Sequence, residues 1–173
     1  SFLKWNDENL YLLTEVYDDI QYQDYIGSQI WQGDSVQIAL DCNNDKTDGY
    51  NDDDYELGMA LCSDGVGFYA WHGDVNDNEP DKWIKIVRDE ETKITRYLMV
   101  MSRNNIGNLK LSEGKYIGLN IAVNDSDVLG REGFIQFTDG LADEGGKCPY
   151  KYENFKFCSE KKYEFKDGYN IFK

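Results

Sequence analysis

The sequence is poor in proline, histidine and positive charge. Its 173 residues include only 2 Pro and 1 His, and 18 Lys and Arg stand against 33 Asp and Glu, a formal net charge of -15. A surface this negative repels phosphate backbones and anionic lipids, so nucleic acids and membrane surfaces are not expected as partners. The chain also lacks an apolar run of the roughly 20 residues that a membrane-spanning helix needs.

Signatures of catalysis and of zinc binding are missing as well. No C-x-x-C pair occurs among the cysteines, which are Cys42, Cys62, Cys148 and Cys158, so a structural zinc site is not expected. Two alternatives remain for them: buried thiols, or extracellular disulfides, of which Cys148–Cys158 would close a short loop. The sequence contains no G-x-S-x-G motif, so there is no serine nucleophile for which the single histidine, His72, would act as general base. We therefore predict no catalytic residue.

Aromatic residues, in contrast, are abundant, with 4 Trp, 13 Tyr and 8 Phe. They supply apolar area for a core, and the length suits one domain, residues 1–173. Short alternating or β-branched runs between Asp, Asn and Gly clusters predict an all-β fold, an antiparallel two-sheet β-sandwich of the jelly-roll or immunoglobulin-like kind. The predicted strands are Leu10–Tyr17, Ser35–Asp41, Glu56–Leu61, Gly67–His72, Trp83–Arg88, Thr92–Val100, Tyr116–Val123, Gly133–Phe137 and Tyr152–Phe157.

The densest polar segment is the loop Asp41–Asp54, which contains six aspartates and three asparagines. Oxygen ligands at this density suit Ca²⁺, which would offset their mutual repulsion. The spacing differs from that of an EF-hand, so the cation would lie in a loop between strands; a hydrated loop without metal is the alternative. The candidate ligands are Asp41, Asn44, Asp45, Asp48, Asp52, Asp53, Asp54 and, from a second acidic segment, Asp125.

Three tryptophans lie at strand edges or in loops, beside glycine and polar residues: Trp31, Trp71 and Trp83. An indole in such a place either caps the core or forms a platform that stacks on the apolar face of a sugar ring. Burial is the commoner outcome for any one large aromatic side chain. Trp5 is assigned to the core.

Several segments carry the motifs of one known family, in the same order and spacing. Trp5–Leu12 matches W-D-x-x-x-L-Y-V, Val16–Asp18 matches V-x-D, and Trp31–Asp41 matches W-x-x-D-S-V-E-I-F-I-D. Ile117–Asp125 is similar to I-G-F-N-x-x-V-N-D. Over roughly residues 4–158 the chain resembles the family 9 carbohydrate-binding modules and related DOMON-like sandwiches.

The resemblance implies a non-catalytic β-sandwich that binds Ca²⁺ structurally and holds sugars between two tryptophans. It implies that Trp31 is one of these tryptophans and that Asp18 contacts sugar hydroxyls. Gln37 stands where the family has a sugar-binding glutamate.

The chain also departs from the family pattern. Gly58 and Ala122 replace an arginine and a glutamine, and residues 138–149 contain no second tryptophan. Trp71 or Trp83 would have to form a replacement platform. The family's N-terminal strand before Trp5 is missing, and residues 159–173 are predicted to form an additional C-terminal hairpin.

We expect a secreted or cell-surface, calcium-stabilised module that binds a polysaccharide or its chain end and targets adjoining catalytic or scaffold domains. One alternative is a sandwich that has lost its ligand pocket and serves as an interaction domain in an extracellular assembly. Another is a haem-binding relative, with His72 and one of three methionines, Met59, Met99 or Met101, as ligands.

Overall fold

A computed structural model describes residues 1–76, 79–143 and 146–159, which form ten strands. They are β1 (Phe2–Trp5), β2 (Asn9–Tyr17), β3 (Ser35–Asp41), β4 (Asp54–Cys62), β5 (Gly65–His72), β6 (Ile84–Asp89), β7 (Ile94–Ser102), β8 (Tyr116–Asp125), β9 (Gly133–Gln136) and β10 (Glu153–Lys156). Short 3-10 helices cover Gly27–Gln32, Pro80–Lys82 and Pro149–Lys151. Nowhere in these ranges does a helix have the length and apolar character needed to cross a membrane.

The strands form two antiparallel sheets. The smaller sheet has the order β1-β2-β7-β6, and the larger has the order β10-β8-β3-β4-β5 with β9 also paired to β8. The predicted all-β sandwich is confirmed, and each predicted strand is present, with Ser35–Asp41 bounded as expected. The strand Phe2–Trp5 was not predicted: an N-terminal strand before Trp5 was expected to be missing, but these four residues pair with Leu10–Leu13 of β2.

The main core lies between the sheets. Strand alternation sends Val36, Ile38 and Leu40 of β3 inward, where they join apolar residues of β2, β4 and β7. Trp83 belongs to this core, because only 6% of its surface is exposed and its ring packs edge-on against Phe68 at 4.8 Å. Its assignment to a sugar platform is therefore wrong.

The state of two cysteines and the predicted C-terminal hairpin can be compared with the structure. Cys158 is a free, exposed thiol, so the Cys148–Cys158 disulfide is not formed. Cys42 is buried, and burial together with the neighbouring Asp53 raises the pKa of its thiol. The predicted hairpin at residues 159–173 lies, apart from Ser159, outside the described residues.

β3 is buried on its outer face as well. All seven of its residues are buried, and Ala39 packs into a second, smaller cluster with Ala122, Leu141, Ala142 and Tyr152. The loops that follow β9 therefore cover the outer face of the larger sheet. The polar residues of β3 lie on this covered face and need partners there.

Asp34, which precedes β3, ties three segments together at one end of the sandwich. Its Oδ2 accepts a hydrogen bond from the Tyr22 backbone N–H at 2.7 Å, and its Oδ1 accepts one from Ser126 at 2.9 Å. Carboxylate oxygens of Asp18, Asp34 and Asp125 lie within 4.8 Å of one another. Burial and the charge of Asp18 raise the pKa of Asp34 to about 7, although the two backbone hydrogen bonds lower it.

This cluster is remote from the loop Asp41–Asp54. The register pairs Ser35 with Asn124 and Asp41 with Gly118, so Asp125 and Asp41 lie at opposite ends of β3. Asp125 therefore does not share a site with Asp41; its carboxylate lies with those of Asp18 and Asp34, and its role as a cation ligand stays a prediction.

The substitution Asp34→Asn is expected to reduce the pH dependence of stability. The folded state raises the pKa of Asp34 above its ordinary value of 3.8, so it binds this proton more tightly than the unfolded chain does. The stabilisation is complete below about pH 4 and is lost as the pH rises through about 7. From pH 5 to pH 8 the wild type should lose about 1–2 kcal/mol more free energy of unfolding than Asp34→Asn, as urea denaturation would measure.

The control is Asp64→Asn, which changes an exposed residue in the β4–β5 turn and should retain the wild-type pH dependence. Identical pH dependence in wild type and Asp34→Asn would contradict the prediction.

Candidate functional site

An open cavity of about 390 Å³ lies on the outer face of the larger sheet. Two indoles, two carboxylates and two cationic side chains contribute to its walls. The lining residues are Trp31, Gln37, Glu56, Trp71, Arg131, Leu141, Ala142, Asp143 and Lys147. The cavity is large enough for a small ligand and combines apolar with hydrogen-bonding surface.

The position of Trp71 depends on a glycine. Its Nε1 donates a hydrogen bond to the Ser28 carbonyl at 3.0 Å, which fixes the indole against the 3-10 helix Gly27–Gln32. The ring lies over Gly58, where a Cβ atom would come within 2.4 Å of Trp71 Cζ3 and Cη2. Gly58, where the family resemblance leads us to expect an arginine, thus leaves the space that Trp71 fills.

Trp31, from the same 3-10 helix, packs against Arg131. The guanidinium carbon lies 5.0 Å from the centroid of Trp31 and 4.7 Å from the centroid of Phe134. Arg131 Nη1 donates hydrogen bonds to Asn124 Oδ1 at 3.1 Å and to the Ala142 carbonyl at 3.3 Å. Burial lowers the pKa of Arg131, but arginine stays charged at neutral pH. The cation thereby holds the Trp31 ring from one side.

The floor of the cavity is a network of buried polar groups centred on Glu56, which is 3% exposed. Glu56 Oε1 accepts hydrogen bonds from Lys147 Nζ at 2.6 Å and from Gln37 Nε2 at 3.2 Å, and Oε2 accepts one from the Tyr50 hydroxyl at 2.9 Å. Gln37 Oε1 in turn accepts a hydrogen bond from Asn124 Nδ2 at 3.1 Å. These side chains are fixed before any ligand arrives.

One acceptor of the cavity wall has no hydrogen-bond partner among the described residues. Asp143 Oδ1 is buried and lacks a hydrogen bond within the described part of the chain, while Oδ2 accepts one from the Gly140 backbone N–H. An unsatisfied buried acceptor costs about 1–3 kcal/mol. A ligand hydroxyl would remove that cost.

The structure brings together three of the residues predicted for the sugar site: Trp31, Gln37 and Trp71. Asp18 does not line this cavity; its carboxylate lies near Asp34 and 4.0 Å from Arg88 Nη1. Its assignment as a ligand in the same site as Trp31 is wrong, because β2 delivers it to the acidic cluster.

Four charged residues of the cavity were missed: Glu56, Arg131, Asp143 and Lys147. Glu56 shares a strand face with Gly58, but no pattern distinguishes it among 33 acidic residues. Arg131, Asp143 and Lys147 lie in loops, where the periodicity of the sequence does not indicate which way a side chain points. The stretch 138–149, which lacks a tryptophan, still contributes to the wall.

The loop Asp41–Asp54 gathers part of the predicted cation site. Carboxylate oxygens of Asp41, Asp45 and Asp53 lie within 4.8 Å of one another. Backbone N–H groups of Asp45 and Lys46 donate to Asp41, and that of Asn43 donates to Asp53, which folds the loop around the carboxylates.

Two observations in this loop fit a cation. Asn44 Oδ1 and Asp54 Oδ1 are buried and have no hydrogen-bond partner among the described residues. Burial, followed by the charges of Asp41 and Asp53, raises the pKa of Asp54 to about 6, although a hydrogen bond from Asn51 lowers it. Asp48 and Asp52 are exposed and do not join the described cluster, so their assignment as ligands is not supported.

The haem alternative finds no support in the placement of its residues. Met59, Met99 and Met101 are fully buried in the core. His72 instead stacks on Tyr50 with ring centroids 4.5 Å apart.

Comparison with curated proteins gives two relatives, each named endo-1,4-beta-xylanase A. The protein from Thermotoga neapolitana is 29% identical over 156 residues, and that from Thermotoga maritima is 28% identical over 156 residues. Each alignment covers 88% of this chain but 13% of the xylanase. The chain therefore spans a small part of these relatives.

Comparison with solved structures supports the fold. A family 9 carbohydrate-binding module from Caldicellulosiruptor kristjanssonii, in complex with cellotriose, gives a TM-score of 0.71 at 23% identity, covering 92% of this chain and 74% of that one. A putative carbohydrate-binding protein from Bacteroides uniformis gives a TM-score of 0.57 at 12% identity, covering 90% and 76%.

Residues 3–154, most of the chain, match the family described as "Carbohydrate family 9 binding domain-like". The expected resemblance is confirmed, and with it the expectation of a binding module that is not itself an enzyme. The chain belongs to the family 9 carbohydrate-binding modules.

Proposed function

We propose that this module binds a neutral polysaccharide, or the end of its chain, in the cavity between Trp31 and Trp71. The observation that carries the proposal is the presence of two indoles and a preorganised polar floor in one open cavity. Indole faces stack on the apolar faces of sugar rings, and Gln37, Glu56 and Arg131 can hydrogen-bond sugar hydroxyls. The replacement platform is thus assigned to Trp71.

Charge supports a neutral sugar over an acidic one. The cavity wall carries Arg131 and Lys147 against Glu56 and Asp143, which balance, while the chain as a whole has a net charge of -15. A polyanionic glycan would be repelled at long range. Structural neighbours from Caldicellulosiruptor kristjanssonii were solved with cellotriose and with glucose, which are neutral.

A Ca²⁺ ion is proposed for the loop Asp41–Asp54. Asp41, Asp45 and Asp53 would hold it, and the unpartnered Oδ1 atoms of Asn44 and Asp54 support the assignment. The cation would neutralise the carboxylates and hold the loop in one conformation.

We also propose that the module is secreted or lies at the cell surface, within a larger protein that acts on glycans. The xylanase names of the relatives and the small fraction of their length that aligns support this. The module would then concentrate an adjoining catalytic domain on its substrate.

Replacing either platform tryptophan should weaken glycan binding. Trp31→Ala and Trp71→Ala are each expected to raise the Kd for cellotriose about tenfold or more, because each removes a large stacking surface. Isothermal titration calorimetry with cellotriose, and affinity electrophoresis on neutral and acidic polysaccharides, would measure the effect.

The matched control is Tyr17→Ala, which removes an aromatic ring that is 74% exposed on the other sheet. It should leave the affinity unchanged. If both tryptophan variants kept wild-type affinity for every glycan that retards the protein in electrophoresis, the assignment of the site would be wrong. Absence of binding across a broad glycan panel would favour the interaction-domain alternative.

Removal of calcium should destabilise the protein. Chelation with EGTA is expected to lower the thermal midpoint by about 5–10 °C relative to protein in excess Ca²⁺. This is the stabilisation that a ligand gives when its free concentration is roughly 100 times its Kd. Differential scanning calorimetry measures the shift, and Asp53→Asn should largely abolish it.

Asp7→Asn, a neutralisation of an exposed aspartate between β1 and β2, is the control and should keep the full shift. An unchanged midpoint in protein first shown to be calcium-loaded would argue against the structural cation.

A further inference from the structure

A chain of hydrogen bonds links the loop Asp41–Asp54 to the floor of the cavity. Tyr50, in the loop, donates its hydroxyl hydrogen to Glu56 Oε2 at 2.9 Å. The Tyr152 hydroxyl lies 3.2 Å from the same Tyr50 oxygen. The loop thus provides the described partner of one oxygen of Glu56, the residue on which the polar floor is centred.

The other end of this chain reaches the acidic cluster through Asn51. Its side-chain amide donates to the Asp45 carboxylate at 3.0 Å, its backbone N–H donates to Asp54 Oδ2 at 2.7 Å, and its Oδ1 accepts from the Asp53 backbone at 3.1 Å. Asn51 directly follows Tyr50, so the carboxylates that would hold the cation also determine where the Tyr50 ring lies.

His72 secures the same segment from the neighbouring strand. Its ring stacks on Tyr50, and its Nε2 lies 2.9 Å from the Asn51 carbonyl oxygen. Tyr50, Asn51 and His72 therefore form a compact link that connects the loop to β4 and β5.

Electrostatics gives the direction of the effect. Without a cation the carboxylates of Asp41, Asp45 and Asp53 repel one another and favour a more open loop. An open loop draws Asn51 and Tyr50 away, and Glu56 Oε2 then loses a hydrogen bond to a charged acceptor, which is stronger than one between neutral groups. Lys147 and Gln37 both contact Oε1, so without the Tyr50 hydrogen bond the Glu56 carboxylate could rotate about that oxygen.

We propose that Tyr50 is a positioning residue for Glu56 and that, through it, cation binding in the loop and glycan binding in the cavity strengthen each other. The inference rests on the proposed function. Because coupling between two binding sites is reciprocal, each ligand must raise the affinity for the other by the same factor.

Wild-type protein tests the coupling without any substitution. The Kd for cellotriose, measured by titration calorimetry, is expected to be about five- to tenfold lower in saturating Ca²⁺ than in EGTA, within the usual range for coupled sites. The Kd for Ca²⁺ should fall by the same factor when cellotriose is saturating.

The substitution Tyr50→Phe tests the role of the hydroxyl, because it keeps the ring that stacks on His72. Its Kd for cellotriose should rise about five- to tenfold in Ca²⁺, to the level of calcium-free wild type, and should no longer depend on Ca²⁺. Tyr11→Phe is the matched control: it removes a hydroxyl whose partners, Asn6 and Asn9, lie on the other sheet and in its adjoining turn, and it should behave as wild type.

The outcomes separate the two proposals. A wild type that binds no glycan refutes the proposed function. A wild type that binds cellotriose equally well with and without Ca²⁺ overturns the coupling and leaves the function standing. If Tyr50→Phe binds cellotriose with the calcium dependence of wild type, the coupling does not pass through Tyr50.

Discussion

The burial of β3 on both of its faces is the constraint on which the rest of the structure depends. Its inward side chains, Val36, Ile38 and Leu40, belong to the main core. The outward Ser35, Gln37 and Asp41 are also buried, with at most 4% exposure. Leaving such groups without partners would cost about 1–3 kcal/mol each. The outward polar side chains of β3 therefore need hydrogen-bond partners on the outer face. The loops that supply these partners also form the cavity.

This requirement explains why the site is rigid. Glu56 is held by donors from β3, from the loop before β4 and from the segment after β9. Trp71 is fixed by the lack of a side chain at Gly58 and by the Ser28 carbonyl. A ligand would meet side chains that are already ordered, so binding would cost little side-chain entropy.

The two ends of β3 handle negative charge in different ways. Asp34 lies before the strand, where its carboxylate accepts two backbone hydrogen bonds and burial raises its pKa to about 7. Asp41 lies at the other end, in a loop where the buried Oδ1 atoms of Asn44 and Asp54 accept no hydrogen bond from any described residue. In the first cluster the raised pKa of Asp34 reduces the repulsion between carboxylates, whereas the second cluster offers the oxygen ligands of the proposed cation.

The sequence by itself determined nine of the ten described strands, the sandwich and the family, because alternation and turn residues are local and the family motifs are continuous in the chain. Only the tertiary structure decided which tryptophan accompanies Trp31. Trp71 and Trp83 have similar polar neighbours, but strand alternation in β5 places Trp71 outward over Gly58, while Trp83 packs into the core. The register of β3 and β8, not the density of aspartates, separated Asp125 from Asp41. Arg131 and Lys147 reach the cavity from loops, and where a loop carries its side chains depends on contacts between residues far apart in sequence.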